Sequence, residues 1–168
     1  MRRHTNILIL LLLTGLCISA GAQNNPYKID DSLYPIFQRA IKWRTQPQGL
    51  LIADTLYAEA TQKKDKKAQC LALTIPVSFY LSTNKYEILE QAATRAKEEA
   101  RKNNYLQYYF SACTNEINCL LNNGHSLRAL QKAEEMKIQA FKDQHEYGIF
   151  SCIFTLGNIY YMRQNREV

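Results

Sequence analysis

Phe150-Ser-Cys-Ile-Phe-Thr-Leu-Gly-Asn-Ile-Tyr160 sets Phe150, Ile153, Gly157 and Tyr160 at steps of 3, 4 and 3, the spacing that lines one face of an α-helix. Forty residues earlier, Phe110, Cys113, Ile117 and Leu120 stand in the same columns; forty before those come Cys70, Leu73, Val77 and Tyr80, and then Leu33, Phe37 and Ala40. A second register runs between them. Ala53, Ala93 and Ala133 form one column, Ala60, Ala100 and Ala140 another, and Leu56, Ala96 and Met136 a third. Alanine is only 16 of 168 residues, so two all-alanine columns are not expected by chance. A fixed period of this size marks stacked helical hairpins, because one hairpin cannot bury its apolar stripe alone. The expectation is an all-α solenoid with a repeat of about 40 residues.

The N-terminus has a different character. Met1-Arg2-Arg3 precedes an apolar run from Ile7 to Ile18 and then Ser19-Ala20-Gly21-Ala22, the pattern of a secretory signal peptide over residues 1–22. The run is shorter than the ~20 residues a spanning helix needs. The expected address is extracytoplasmic, on the periplasmic face of a bacterial inner membrane. Cleavage before Gln23 removes Arg2 and Arg3 and takes the net charge from +6 to +4. The remaining excess forms no stripe. Lys63, Lys64, Lys66 and Lys67 cluster at one corner, which reads as a solvated turn rather than a nucleic-acid patch. Cys70, Cys113, Cys119 and Cys152 show no C-x-x-C pair, and two fall in core columns, so they read as small hydrophobes.

After a polar lead-in over 23–31, a repeat domain is predicted over 32–168 with about seven helices. Ile36, Phe37, Ala40 and Ile41 make the first stripe; Pro47 and Gly49 predict the turn that ends that helix. Leu50, Ala53, Tyr57 and Ala60 make the second. Pro76 sits inside the third and predicts a bend. Asn84 followed by Glu87 predicts a capped start for the fourth, with Ile88, Ala92, Ala96 and Ala100 on one face. Asn122-Asn123-Gly124 predicts a left-handed helix end at Gly124. By the 40-residue register a partner for the last helix would begin where the chain stops at Val168. That helix is therefore expected to show its apolar face to water, and the chain to be truncated at its C-terminal end.

Ile153-x-x-Leu156-Gly157-x-x-Tyr160 resembles the first-helix motif of the tetratricopeptide repeat (TPR), with Ile in place of Trp, and Ala129-x-x-x-Ala133 is similar to its second-helix motif. The period departs from that family's 34 residues. Taken with the leader and Leu-Arg-Ala-Leu-Gln-Lys-Ala-Glu-Glu-Met (127–136), the pattern resembles the extracytoplasmic helical-repeat regions of bacterial two-component histidine kinases. That resemblance implies a ligand- or partner-binding sensor module. A membrane helix and kinase core would follow beyond Val168, and no catalytic residue carries over.

No catalytic, cofactor-binding or metal-binding constellation is visible. His125 and His145 lie at corners without a companion ligand, and Glu98-Glu99 and Glu134-Glu135 are adjacent pairs that do not converge. The segment does not read as an enzyme. Tyrosine, 11 of 168 residues, is the feature that can carry recognition. In TPR-like stacks the first helix of each hairpin lines the concave face. Tyr108 and Tyr161 fall outside the core columns and, with Tyr105, are the predicted binding residues there. The expected partner is a peptide, a protein or a small ligand, with no nucleic acid and no cofactor. A free-standing periplasmic scaffold of the same repeats is the alternative to a sensor.

Overall fold

The computed structural model describes residues 25–164; the leader expected over 1–22 lies outside the described residues. Those residues form seven α-helices: α1 (Tyr34–Lys42), α2 (Pro47–Gln62), α3 (Lys66–Ser82), α4 (Tyr86–Lys102), α5 (Leu106–Asn122), α6 (Ser126–Lys142) and α7 (Glu146–Gln164). No strand occurs among the described residues, and no helix among them is long and apolar enough to cross a membrane.

Five corners share one geometry. Lys64, Asn84, Asn104, Gly124 and Gln144, each twenty residues after the last, have φ between 50° and 78°. The amide of the next residue reaches back to the carbonyl five positions earlier: Asp65 to Ala60, Lys85 to Tyr80, Tyr105 to Ala100, His125 to Leu120 and His145 to Ala140, at 2.8–3.1 Å. This is the Schellman closure, which satisfies carbonyls a helix end leaves unpaired. The next helix begins at once, so successive helices are held as tight hairpins.

Gly124 takes the left-handed position as predicted. Asn84 does not act as the predicted cap of α4. It occupies a left-handed corner position, which asparagine tolerates, and its side chain serves another corner. Asn123 Nδ2 donates to Asn84 Oδ1 at 2.9 Å, and Asn84 Nδ2 returns a bond to Asn123 Oδ1 at 3.3 Å. The corner between α1 and α2 has no left-handed residue. There Gln46 is extended and Pro47 opens α2. Gly49 lies inside α2 rather than in a turn. A Cβ at that position would stand 2.4 Å from the Trp43 carbonyl oxygen, so the glycine is needed for close approach.

Every helix packs against its neighbours in the chain. In addition α1 packs on α3, α3 on α5 and α5 on α7, whereas the backbones of α2, α4 and α6 stay apart and only long side chains bridge them, Arg95 over Tyr57 and Arg128 to Tyr86. The odd helices therefore form one continuous layer, and each even helix lies over the seam between two of them. Small side chains permit this approach. Ala53, Ala60, Ala93, Ala100, Ala133 and Ala140 are all buried, and Phe37, Val77, Phe110 and Ile117 fill the space opposite. In α4 the buried stripe is Leu89, Ala93, Ala96 and Ala100; the predicted Ile88 is exposed and Ala92 half-buried. α3 runs unbroken through Pro76. The four cysteines of the described residues are free and buried, as expected of core hydrophobes.

The last helix, α7, differs from the other odd helices in the way the register predicts. Phe150, Ile153 and Tyr160, the columns from which the repeat is read, are 69%, 57% and 48% exposed. The helix buries Cys152, Thr155, Leu156 and Ile159 instead. In α5 the corresponding columns are covered because α6 packs there. No helix does so for α7 among the described residues, and its apolar face is open to water as the register predicts.

Candidate functional site

A groove of about 270 Å³ runs along the odd layer, lined by the lead-in residue Tyr27 and by side chains of α1, α3, α5 and α7, with Arg44 of the α1–α2 corner at its rim. No residue of an even helix reaches it. One end is apolar and aromatic: Tyr27, Phe37, Ile41, Leu71 and Ile75. Tyr27 meets the edge of Phe37, with centroids 4.7 Å apart. The other end is polar and neutral. Gln107, Ser111 and Asn115 follow at steps of four along α5, with Tyr147 beyond them on α7. Ser111 and Asn115 lie on a different side of α5 from the buried Phe110 and Ile117, so one helix supplies both core and groove.

Tyr108 lies between the two ends. Burial, with lesser contributions from the neighbouring Cys70, Tyr27 and Tyr105, pushes its phenol up to about 12. It therefore stays a neutral hydroxyl, able to donate and accept a hydrogen bond. Tyr105 sits 6.0 Å from it, ring to ring, and lines an adjoining hollow of about 240 Å³ with Lys67, Asn104 and His145. Gln107 and Tyr108 line both spaces, so the two hollows adjoin across these side chains.

The structure thus brings two of the three predicted residues together. It does not bring in Tyr161, which is 68% exposed on the open face of α7, with Phe150 and Tyr160. The reason is register. Tyr161 stands forty residues after Leu121, whereas the column of Tyr108 continues at Gly148. Sequence reasoning also passed over Arg44, Ser111 and Asn115. The signal for the α5 residues was present as a polar stripe at steps of four on an apolar helix. For Arg44 there was none.

Charge distribution gives the groove its character. No carboxylate lines either hollow. Among the described residues the Arg44 guanidinium donates one hydrogen bond, from Nη1 to the Ile41 carbonyl at 3.1 Å, and makes no ion pair. Arg44 and Lys67 are the cations that line the two hollows, and among the described residues no ion pair engages either; the Asp65 carboxylate, near enough to raise the Tyr105 phenol, accepts the Asp30 and Ala68 amides.

A second polar cluster lies away from the groove and is structural. Glu116 of α5 is 2% exposed. Lys97 of α4 bonds its Oε2 at 2.8 Å, and Lys132 of α6 stands 2.6 Å from Oε1 as an ion pair without good hydrogen-bond alignment. Burial works against the Lys132 charge, but Glu116 and then Glu90 outweigh it and hold the amine above the ordinary lysine range. Arg128 extends the chain, approaching Glu90 at 3.6 Å and donating to the Tyr86 hydroxyl at 3.0 Å. Every charge here has a partner, and the cluster ties α4, α5 and α6 together. No group of three or more His, Cys, Asp or Glu side chains among the described residues could hold a metal ion.

What fold and groove define is a class: an all-α stack of seven helices with a neutral-to-cationic furrow along one layer. Compared with protein-family profiles, with curated proteins and with solved structures, the chain has no significant match.

Proposed function

We propose that this chain is an exported interaction module, a TPR-like α-solenoid of 40-residue hairpins whose groove binds a peptide or small ligand bearing a carboxylate. The repeat reading is supported by four successive 17-residue helices, α3 to α6, separated by corners of one geometry. The single observation that carries the binding reading is the composition of the groove. Amide and hydroxyl side chains spaced along α5 can pair with a peptide backbone, which offers donors and acceptors alternately. Tyr108 and the apolar end can take a side chain, and Arg44 matches a carboxylate in fork geometry. The leader and the resemblance to sensor regions of histidine kinases favour a role in presenting that ligand state to a membrane signalling protein.

A displayed library of random decapeptides selected against the protein tests the binding reading. Expected are sequences enriched in an acidic residue at one position, with affinity reduced roughly tenfold or more by Tyr108→Ala or Arg44→Glu, while Tyr161→Ala leaves it unchanged. Selection of no peptide, or of peptides indifferent to both groove substitutions, would overturn the reading.

A further inference from the structure

The open face of α7 is the feature the groove does not absorb. From Phe150 to Tyr160 it carries no charged residue. Phe150 and Phe154 stack on it with centroids 6.3 Å apart and planes at 14°. It stands in register with two faces that are covered. Phe110, Ile117 and Leu120 of α5 share a core with Ala129, Ala133, Met136 and Ala140 of α6; Leu73 and Val77 of α3 share it with Leu89, Ala93 and Ala96 of α4. In both cases the cover is an even helix whose buried stripe runs at steps of 4, 3 and 4 and is alanine at three of its four places, with Met136 or Leu89 at the fourth. At the centre of the open face Gly157 replaces Ile117 and Val77, and a Cβ there would meet nothing within 4 Å. Glycine inside a helix costs ~1 kcal/mol relative to alanine, and here it makes room for a helix to approach closely.

We propose that this face is a docking site for a partner helix that lies along α7 and presents a mostly alanine stripe at steps of 4, 3 and 4. Continuity with the α5–α6 interface defines that chemistry. A second copy of α7 does not fit it: two faces of bulky rings would oppose one another with no small stripe to receive them. The site is separate from the groove and does not depend on what the groove binds.

A blocked, labelled peptide with the sequence Ser126–Lys142, the helix that covers the same columns of α5, tests the proposal by anisotropy and circular dichroism. Expected is saturable one-to-one binding with a gain of helicity. Binding should weaken about tenfold or more in the protein variant Ile153→Asp, which puts a charge into the apolar contact, and similarly with a peptide carrying Leu at the positions of Ala133 and Ala140. Ile153 is exposed, so the variant should melt as the parent does, and Tyr108→Ala should bind the peptide normally. Absence of saturable binding, or binding indifferent to Ile153→Asp, overturns the proposal. So does concentration-dependent self-association of the protein that Ile153→Asp abolishes, since the occupant is then a second copy.

Discussion

The α-carbon of Gly148 lies so close to the Phe110 ring that a Cβ on the glycine would stand 2.7 Å from two ring carbons. Phe110 is fully buried and has no free direction in which to turn. The contact joins the start of α7 to α5, beside His145, whose ring stacks on the same phenyl at 5.2 Å and whose Nδ1 accepts the Gly148 amide at 3.1 Å.

Two glycine substitutions in one helix should therefore have opposite signs. Gly148→Ala improves helix propensity by ~1 kcal/mol, but overpacking the Phe110 contact costs ~1–3 kcal/mol, so the variant should melt at a lower temperature than the parent. Gly157→Ala faces open space and should gain most of the propensity term, melting higher. Thermal melts of the two variants check the pair. Equal shifts would mean that the Phe110 contact is not formed.

Glu116 separates charge from volume. Glu116→Ala leaves Lys97 and Lys132 without their carboxylate, but their side chains keep 20% and 25% exposure and can turn toward water. The loss should fall below that of a fully buried pair, at ~1–3 kcal/mol by denaturant unfolding. Glu116→Met strands the same two amines but keeps the buried volume filled, so it should lose less than the alanine variant. Pro76 and Leu156, forty residues to either side, already place apolar residues in this column. If Met and Ala lose equally, the ion pair itself is required.

Much of the fold was legible because small and bulky residues alternate in step. The alanine columns marked the buried face of every even helix, and Gly124 announced its own left-handed corner. What was not legible came from residues with two physical uses. Asn84 can cap a helix or take a left-handed corner, and only the neighbouring Asn123 decides between them. Gly49 and Pro47 read as a turn, yet the glycine serves the Trp43 carbonyl inside a helix. In the groove, Tyr108 stood out by lying off the core columns. Tyr161 does so too, but whether an off-column side chain meets a groove or open water depends on which helices lie beside it, and no single helix's periodicity carries that.

Asp65 does two jobs at the corner before α3. Its Oδ1 accepts the Ala68 amide at 2.9 Å, capping the helix, and its Oδ2 accepts the Asp30 amide at 2.7 Å, fixing the lead-in. Asp65→Ala should cost ~1–2 kcal/mol, the usual range for a lost cap. Asp65→Asn keeps one acceptor oxygen but sets an NH2 group against the other amide, so it should recover the cap alone and only part of the loss. Hydrogen exchange should show faster exchange of the Asp30 amide in both variants, and of the Ala68 amide in the alanine variant alone.

Alkaline pH should unfold the protein earlier than an ordinary charge balance predicts. Burial raises Cys113 from 9.0 to about 11 and Cys70 from 9.0 to about 12, and Tyr108 from 10.0 to about 12. Each group holds its proton longer when folded, so the unfolded chain ionises first. The stability each contributes is full below its unfolded value and is lost as pH rises through the folded one. Lys132, held above its ordinary range by Glu116, works in the same direction. Denaturation midpoints should stay level up to about pH 9 and fall steadily between pH 9 and 12. Cys113→Ala should flatten the first part of that fall, and Tyr108→Phe the part beyond pH 10, whatever either does to the neutral-pH value. A midpoint that stays level to pH 12 would mean that water reaches these groups in the folded protein.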